Sequence, residues 1–250
     1  MQNQLVHYIL GIADSNLILG QRLGELCGHG PNLETDIALT NISLDLFGQV
    51  RSYYQYAASL LGNGATEDSL AFLRIEREYR TAILCELPNT DFAWVIVRQF
   101  LFDAYHLLLV ESLVKSSDET LSAIAQKAVK EVRYHRRFSA DWLMRLGDGT
   151  EESHRRTQEA LDNLYIHCEA LFAMDEIDHA VAASGVGVNL AELKTQYFAQ
   201  VHADIERATL KVPEIQYFQK GGKNGVHSEH MGYILTEMQY MQRTYPNMTW

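Results

Sequence analysis

The sequence has few cysteines and few prolines. Its three cysteines, Cys27, Cys85 and Cys168, are far apart and form no Cys-x-x-Cys pair. This spacing argues against both a disulfide framework and a zinc knuckle. Only four prolines occur in 250 residues, so long uninterrupted elements are favoured over a loop-rich fold.

Positive charge is also scarce, because 21 Lys and Arg residues stand against 32 Asp and Glu residues, giving a net charge of −11. A nucleic-acid-binding surface is therefore not expected. The amino terminus, Met1–Leu5, has no basic region followed by an apolar run, so we predict no signal peptide. No run approaches about 18 apolar residues, so no membrane span is expected and the cytoplasm is the predicted location.

Apolar residues recur every three or four positions along almost the whole chain, which is the pattern of amphipathic helices. Strand-like alternation, linkers and short repeats are absent from the sequence. We therefore predict an all-α protein, a four-helix bundle with additional C-terminal helices, folded as one domain over residues 1–250. The core helices are expected at about 2–28, 33–62, 91–115 and 119–146, and the C-terminal helical elaboration at 150–250.

Two polar residues interrupt the apolar stripes of the third and fourth helices. Asp103 stands between Phe100 and Leu107, and His135 stands on the stripe of Val132. Ferritin-like di-iron bundles carry one Glu on each of two helices and Glu-x-x-His on the other two, because this spacing puts both side chains on one face. Each residue alone is more simply a hydrogen-bonded core residue, but together they predict a ferritin-like bundle.

The rest of the di-iron ligand set is missing. The residue three before His135 is Val132, the second helix offers Leu46 and Gln49 at the matching spacing, and the first helix offers Leu23. These side chains cannot replace the carboxylates and imidazoles that suit iron. We expect no catalytic residue, no cofactor and no metal in this chain. The degenerate di-iron positions are Leu23, Leu46, Gln49, Asp103, Val132 and His135.

Other local patterns have both a chemical and a structural interpretation. His106 has metal-ligand spacing to Asp103, but on a helix it points about 60° away. Glu131 lies four residues before His135 and is more simply the partner of a surface arginine. The segment His227–His230 could bind a metal, yet a helix start with a packing role is the simpler interpretation.

The fourth helix carries a basic cluster of four residues, Lys130, Arg133, Arg136 and Arg137. We expect these side chains to be spread around the solvent side of the helix. An anionic partner is the alternative.

Several stretches are similar to the non-catalytic ferritin-like subunit of the bacterial phenylacetyl-CoA epoxidases, the multicomponent oxygenases of phenylacetate breakdown. The similarity runs nearly from end to end. The stretches that carry it are Gln21–Glu25, Cys27–His29, Leu44–Gln49, Lys130–His135, Arg137–Ser139, Gly221–Lys223, His227–Gly232 and Glu237–Arg243.

The resemblance gives the same register as the apolar stripes. The second helix of the catalytic partner in that family resembles Asp-Glu-x-Gly-His, where this chain has Asp-Leu-Phe-Gly-Gln from position 45. A later helix resembles Lys-Glu-Glu-x-Phe-His, where this chain has Lys-Glu-Val-Arg-Tyr-His from position 130. The resemblance thus implies that Leu46, Gln49 and Val132 replace ligands. It also implies that Leu23 stands for the first-helix Glu, and that Asp103 and His135 are retained.

The function that the resemblance implies is structural. This chain would pair with and stabilise a homologous ferritin-like di-iron catalytic subunit, beside a small bridging subunit and a reductase that uses FAD, an iron–sulfur cluster and NADPH. The complex would add one oxygen atom of dioxygen across the ring of phenylacetyl-CoA, giving the 1,2-epoxide.

Three alternatives stay open. The chain could be a di-iron oxygenase or oxidase in its own right, with Asp103, His106, Glu131 and His135 as an atypical ligand set. It could be a ferritin-like storage protein. It could also contact CoA phosphates through the basic cluster or the Lys220–Lys223 loop.

Overall fold

The computed structural model describes residues 2–246 and 248. Over these residues the chain has no strands and is 73% helical, with ten α-helices joined by turns, irregular segments and short 3-10 helices. The all-α, ferritin-like prediction with additional C-terminal helices is confirmed. The helices are α1 Gln2–Gly24, α2 Leu33–Leu61, α3 Glu67–Phe72, α4 Ile83–Glu86, α5 Phe92–Leu113, α6 Glu119–Gly147, α7 Glu151–Leu164, α8 Glu176–Ala183, α9 Leu190–Arg207 and α10 Glu229–Thr244.

The chain divides into two compact units. The first unit is Met1–Pro88 with Gly221–Trp250, and the second is Asn89–Lys220. In the first unit α1 packs along α2, and α10 returns from the end of the chain to contact α3. In the second unit α5 packs along α6, and α7 and α9 contact both helices. The sequence predicted a single domain over residues 1–250. This stays a prediction, since the two units are defined only by the contacts within each of them.

Side-chain caps fix where the long helices begin. The carboxylate of Asp91 accepts a hydrogen bond from the backbone N–H of Trp94 at 2.8 Å, and Asp118 does the same for Leu121 at 2.8 Å. Such caps satisfy N–H groups that have no partner inside the helix. With these caps, α5 begins at Phe92 and α6 at Glu119, within one residue of the starts expected from the sequence.

The first helix ends earlier than predicted, at Gly24 rather than at residue 28. Tight turns follow it, and the carboxylate of Asp36 accepts hydrogen bonds from the N–H groups of Gly28 and Gly30 at 2.9 to 3.1 Å. Gly28 has a φ of +85°, which glycine adopts without strain. The loop is thus held by a residue of α2 that apolar periodicity does not reveal.

Helix α5 is long and apolar enough, by length and composition, to cross a membrane, with a mean hydropathy of 1.4 over its most apolar 18 residues. This helix is not an uninterrupted apolar run, because Arg98 and Asp103 lie within it, and one helix of this composition is weak evidence for a membrane span. In addition, 89% of that window is buried, and the core helix of a soluble protein has the same composition. The polar residues Arg98, Gln99, Asp103 and His106 are all buried on it.

Candidate functional site

The side chain of Asp103, on α5, is completely buried in the second unit. Its Oδ1 accepts a hydrogen bond from Nε2 of Gln99 at 2.6 Å, and its Oδ2 accepts one from Oγ of Ser139 at 2.8 Å. Gln99 lies one turn earlier on α5, and Ser139 lies on the neighbouring α6. Each carboxylate oxygen is therefore held by a protein donor, and the second bond links the two helices.

Burial raises the pKa of Asp103 to about 6, while His135, the two hydrogen-bond donors and Arg136 act in the opposite direction. The carboxyl group is thus mostly ionised at neutral pH despite its surroundings. The hydroxyl of Ser139, the amide of Gln99 and the guanidinium of Arg136 thus offset only part of the cost of burying this charge.

Two histidines share this interior. His135 on α6 and His106 on α5 are both completely buried. Burial, together with the nearby His135, lowers the pKa of His106 to about 3, so His106 is neutral at physiological pH. His106 points about 60° away from Asp103 around the helix, but that side of α5 is buried too. Both residues interact electrostatically with His135, so the three form one buried polar group.

Val132 lies on the same side of α6, three residues before His135, and is completely buried. It packs with Val110 and Ala128 in an apolar cluster that Leu107 and Val129 border. Its side chain has no atom that can bind a metal. In the second unit, therefore, the predicted positions bring together one carboxylate, one imidazole and one aliphatic side chain.

The predicted positions of the first unit are also buried. Leu23 on α1 and Leu46 on α2 have no exposed surface, and Gln49 is 4% exposed. Nδ2 of Asn16 donates a hydrogen bond to Oε1 of Gln49 at 3.3 Å. These positions supply two aliphatic side chains and one amide that is already hydrogen-bonded. Their assignment to a degenerate metal centre stays a prediction.

Sequence reasoning missed Gln99 and Ser139. A signal existed, because Gln99 is four residues before Asp103 and Ser139 is four residues after His135, which places each on the same helix face as its neighbour. A buried carboxylate needs donors, so a search for donors at these spacings finds both residues.

The prediction that the basic cluster lies on the solvent side is wrong for Arg136. Its side chain is only 13% exposed and forms an ion pair with Asp204 of α9. Its guanidinium lies 4.7 Å from the centre of the Phe100 ring. The other three members of the cluster are exposed, and Arg133 pairs with Glu111 at 2.8 Å.

The segment His227–His230 begins α10, and Ser228 is its N-cap residue. The side chain of His227 is completely buried against Glu86, with Nδ1 to Oε1 at 2.6 Å. The backbone N–H and the hydroxyl of Ser228 donate to the other oxygen of Glu86 at 2.8 and 2.7 Å. His227 and Ser228 therefore pack at the start of a helix, which was the simpler of the two interpretations of this segment.

A protein-family model and a bacterial relative both match this chain. The family model described as "Phenylacetic acid catabolic protein" matches residues 1–250. A protein of Escherichia coli (strain K12), named as one of the subunits of 1,2-phenylacetyl-CoA epoxidase, is 49% identical over 248 residues, which cover 99% of this chain and 100% of that protein. These matches confirm the resemblance that the sequence motifs indicated. The chain belongs to the phenylacetic acid catabolic protein family.

Proposed function

We propose that this chain is a structural, non-catalytic subunit of a cytoplasmic, multicomponent phenylacetyl-CoA 1,2-epoxidase. It pairs with a homologous ferritin-like di-iron subunit and stabilises it. Two observations carry the proposal. Within the second unit both oxygens of the Asp103 carboxylate accept hydrogen bonds from Gln99 and Ser139. In each unit, a position predicted to have lost a ligand holds a buried aliphatic side chain, Leu46 in the first and Val132 in the second.

A di-iron centre does not fit the residues at the predicted positions. Such a centre needs about four carboxylates and two imidazoles from the four helices. The aliphatic side chains at positions 23, 46 and 132 offer no ligand atom, and both oxygens of Asp103 already accept protein hydrogen bonds. We therefore assign no step of oxygen chemistry to this chain.

The aliphatic replacements have a physical benefit in a subunit that holds no iron. Carboxylates buried without a metal or a donor are strongly destabilising. Leu46 and Val132, both fully buried, each stabilise the fold by about 1.5 to 3 kcal/mol through burial of apolar surface. The result is a bundle whose interior is stable without a cofactor.

The relative is named as one subunit of an epoxidase, and this supports partners of the same kind here. The proposed partners are the homologous di-iron subunit, a small bridging subunit and a reductase. In this arrangement iron belongs to the di-iron subunit, while FAD, the iron–sulfur cluster and NADPH belong to the reductase.

The proposal is tested by purifying the chain alone and with the homologous di-iron subunit. We expect the chain alone to contain far less than one iron per molecule and to show no turnover, and the mixture to form a stable complex that is active with reductase. Stoichiometric iron and turnover by the chain alone would instead support the catalytic alternative with its atypical ligand set.

A pair of variants makes the test sharper. His135→Gln in this chain should leave turnover by the assembled complex within about twofold, since no iron ligand is lost. The matched control is the same substitution at the corresponding histidine of the di-iron subunit, where we expect activity to be abolished. Loss of activity in both variants, with both complexes intact, would contradict the proposal.

A further inference from the structure

The exposed side of α6 carries an unusual stripe of positive charge. At positions three or four apart, and therefore on one side of the helix, it presents Lys127, Lys130, Tyr134, Arg137, Asp141 and Arg145, all of them exposed. We call this set the α6 basic face. Helix α6 has six basic and three acidic residues, whereas the whole chain has a net charge of −11.

The cations of this face differ from other exposed arginines in their pairing. Arg133, Arg155 and Arg156 each lie within 4 Å of a carboxylate oxygen. Within residues 2–246 and 248, Lys127, Lys130 and Arg137 have no such partner. An acidic chain that leaves these cations unpaired on one helix keeps a local positive potential there, which attracts negatively charged partners.

The shape of the face decides what kind of anion it fits. From Lys127 to Arg145 the helix rises by about 27 Å, and the side chains point outward from a convex surface. Recognition of a phosphate group or a small ligand instead needs donors that converge in a concave site. The spread of charge therefore favours an extended acidic surface over the phosphates of CoA.

Aromatic and arginine side chains in the middle of the face also favour a protein. Tyr134 is 40% exposed, and the guanidinium of Arg137 lies 6.0 Å from the centre of its ring. Tyrosine and arginine are enriched among the residues that contribute most to protein–protein binding.

We propose that the α6 basic face binds an acidic surface on another protein component of the oxygenase. The inference rests on the proposed function, because it takes the partner from the proposed complex. The contact is dominated by charge, so it speeds association and weakens as salt is added.

The test reverses the three unpaired cations in the full-length chain: Lys127→Glu, Lys130→Glu and Arg137→Glu. The matched control reverses three exposed cations elsewhere, Arg77→Glu, Lys115→Glu and Lys211→Glu, and changes the net charge equally. The Kd of each chain is measured with the purified di-iron subunit, bridging subunit and reductase, at low and at high ionic strength. Phenylacetyl-CoA is titrated as a further probe.

At low ionic strength we expect the α6 variant to bind one of these proteins at least about tenfold more weakly than the wild type. The control should remain within about twofold, and the difference should shrink at high salt. Equal weakening in both variants, no weakening, or weakening only toward phenylacetyl-CoA would overturn the inference. If the wild type binds none of the proteins, the proposed function falls as well; if it binds and the α6 variant binds equally, only this inference falls.

Discussion

Glu86 and His227 are separated by 141 residues in the sequence, yet Oε1 of Glu86 lies 2.6 Å from Nδ1 of His227. Both side chains are completely buried within the first unit. The second ring nitrogen of His227 lies 3.0 Å from the carbonyl oxygen of Tyr79. Both of these partners can accept hydrogen bonds, so their positions favour an imidazole that carries a hydrogen on each ring nitrogen. The ion pair thus ties the start of α10 to α4.

This pair should make the stability of the chain depend on pH. Burial alone lowers the pKa of His227, but the hydrogen bond and charge of Glu86, helped by the Tyr79 carbonyl and by Glu76, raise it above 6.5 overall. A raised folded-state pKa contributes stability that is complete below the unfolded value of about 6.5 and is lost as pH rises through the folded value.

We therefore expect the free energy of unfolding of wild type, minus that of His227→Gln, to decrease as pH rises above about 6.5. Urea denaturation over a pH series measures this difference. Thr236→Ala, at an exposed position of α10, is the control; it removes no titratable group and should give a difference that hardly changes with pH. A pH-independent difference for His227→Gln would show that the imidazole is not charged in the folded state.

A second prediction concerns Arg74, whose guanidinium lies inside the first unit. It donates to both carboxylate oxygens of Asp14 at 2.9 and 2.6 Å and to the hydroxyl of Tyr54 at 2.8 Å. It also lies 4.0 Å from the centre of the Tyr79 ring. Lysine cannot reproduce this two-pronged, stacked geometry.

We expect Arg74→Lys to lower the free energy of unfolding by about 2 to 3 kcal/mol. Arg51→Lys is the matched control. The side chain of Arg51 is 72% exposed, and its distance of 3.6 Å from the Glu67 carboxylate is long for an ion pair. This substitution should change stability by less than about 0.5 kcal/mol. Chemical denaturation of both variants decides the matter, and equal effects would refute a special role for the buried arginine.

Periodicity predicted the parts of this structure that depend on which face of a helix is buried. The apolar stripes placed Leu46 and Val132 in the interior, and both are completely buried. The same stripes located α5 and α6 to within two residues at each end. Local rules of this kind succeed because a helix repeats every 3.6 residues, so a buried face is visible in the sequence.

What the sequence did not reveal depends on contacts between distant segments. The ion-pair partner of Arg136 is Asp204, on a different helix, and the partner of His227 lies 141 residues away. Periodicity identifies a face but not the element that covers it. Arg136 was therefore predicted to lie in solvent. The ion pair of His227 with Glu86 was not predicted, and His227 was interpreted only as part of a helix start.

A third prediction tests how strongly the interior of the second unit rejects charge. Val132→Glu would place a carboxylate among Val110 and Ala128. We expect a loss of about 3 kcal/mol or more in the free energy of unfolding. Val129→Glu is the matched control, because Val129 is only partly buried and its carboxylate can reach water; it should cost less than about 1 kcal/mol.

Thermal unfolding with and without ferrous iron adds a further readout. Because position 132 alone does not restore a ligand set, iron should not rescue Val132→Glu. Recovery of stability on addition of iron would mean that the remaining side chains can hold a metal, contrary to the proposed function.

The last prediction concerns Gly222, in the loop that leads into α10. Its φ is +82°, and a Cβ atom built on it would lie 2.4 Å from the carbonyl oxygen of Thr81 and 2.9 Å from the backbone nitrogen of Ile83. Other side chains adopt this φ only with strain, and here the backbone of the neighbouring segment also blocks the space. In the same loop, the carbonyl of Lys223 accepts a hydrogen bond from Nη1 of Arg80 at 2.9 Å.

Gly222→Ala should therefore destabilise the chain by about 2 kcal/mol or more and loosen the attachment of α10, since the loop cannot approach residues 81–83 as closely. Gly11→Ala in α1 is the matched control, because a Cβ there meets nothing within 4 Å, and it should stabilise the helix by about 0.5 to 1 kcal/mol. Hydrogen exchange of the α10 amides separates the two effects. We expect faster exchange confined to α10 in Gly222→Ala. Unchanged exchange would contradict the prediction, because it would mean that the ion pair between Glu86 and His227 holds α10 without the close approach at Gly222.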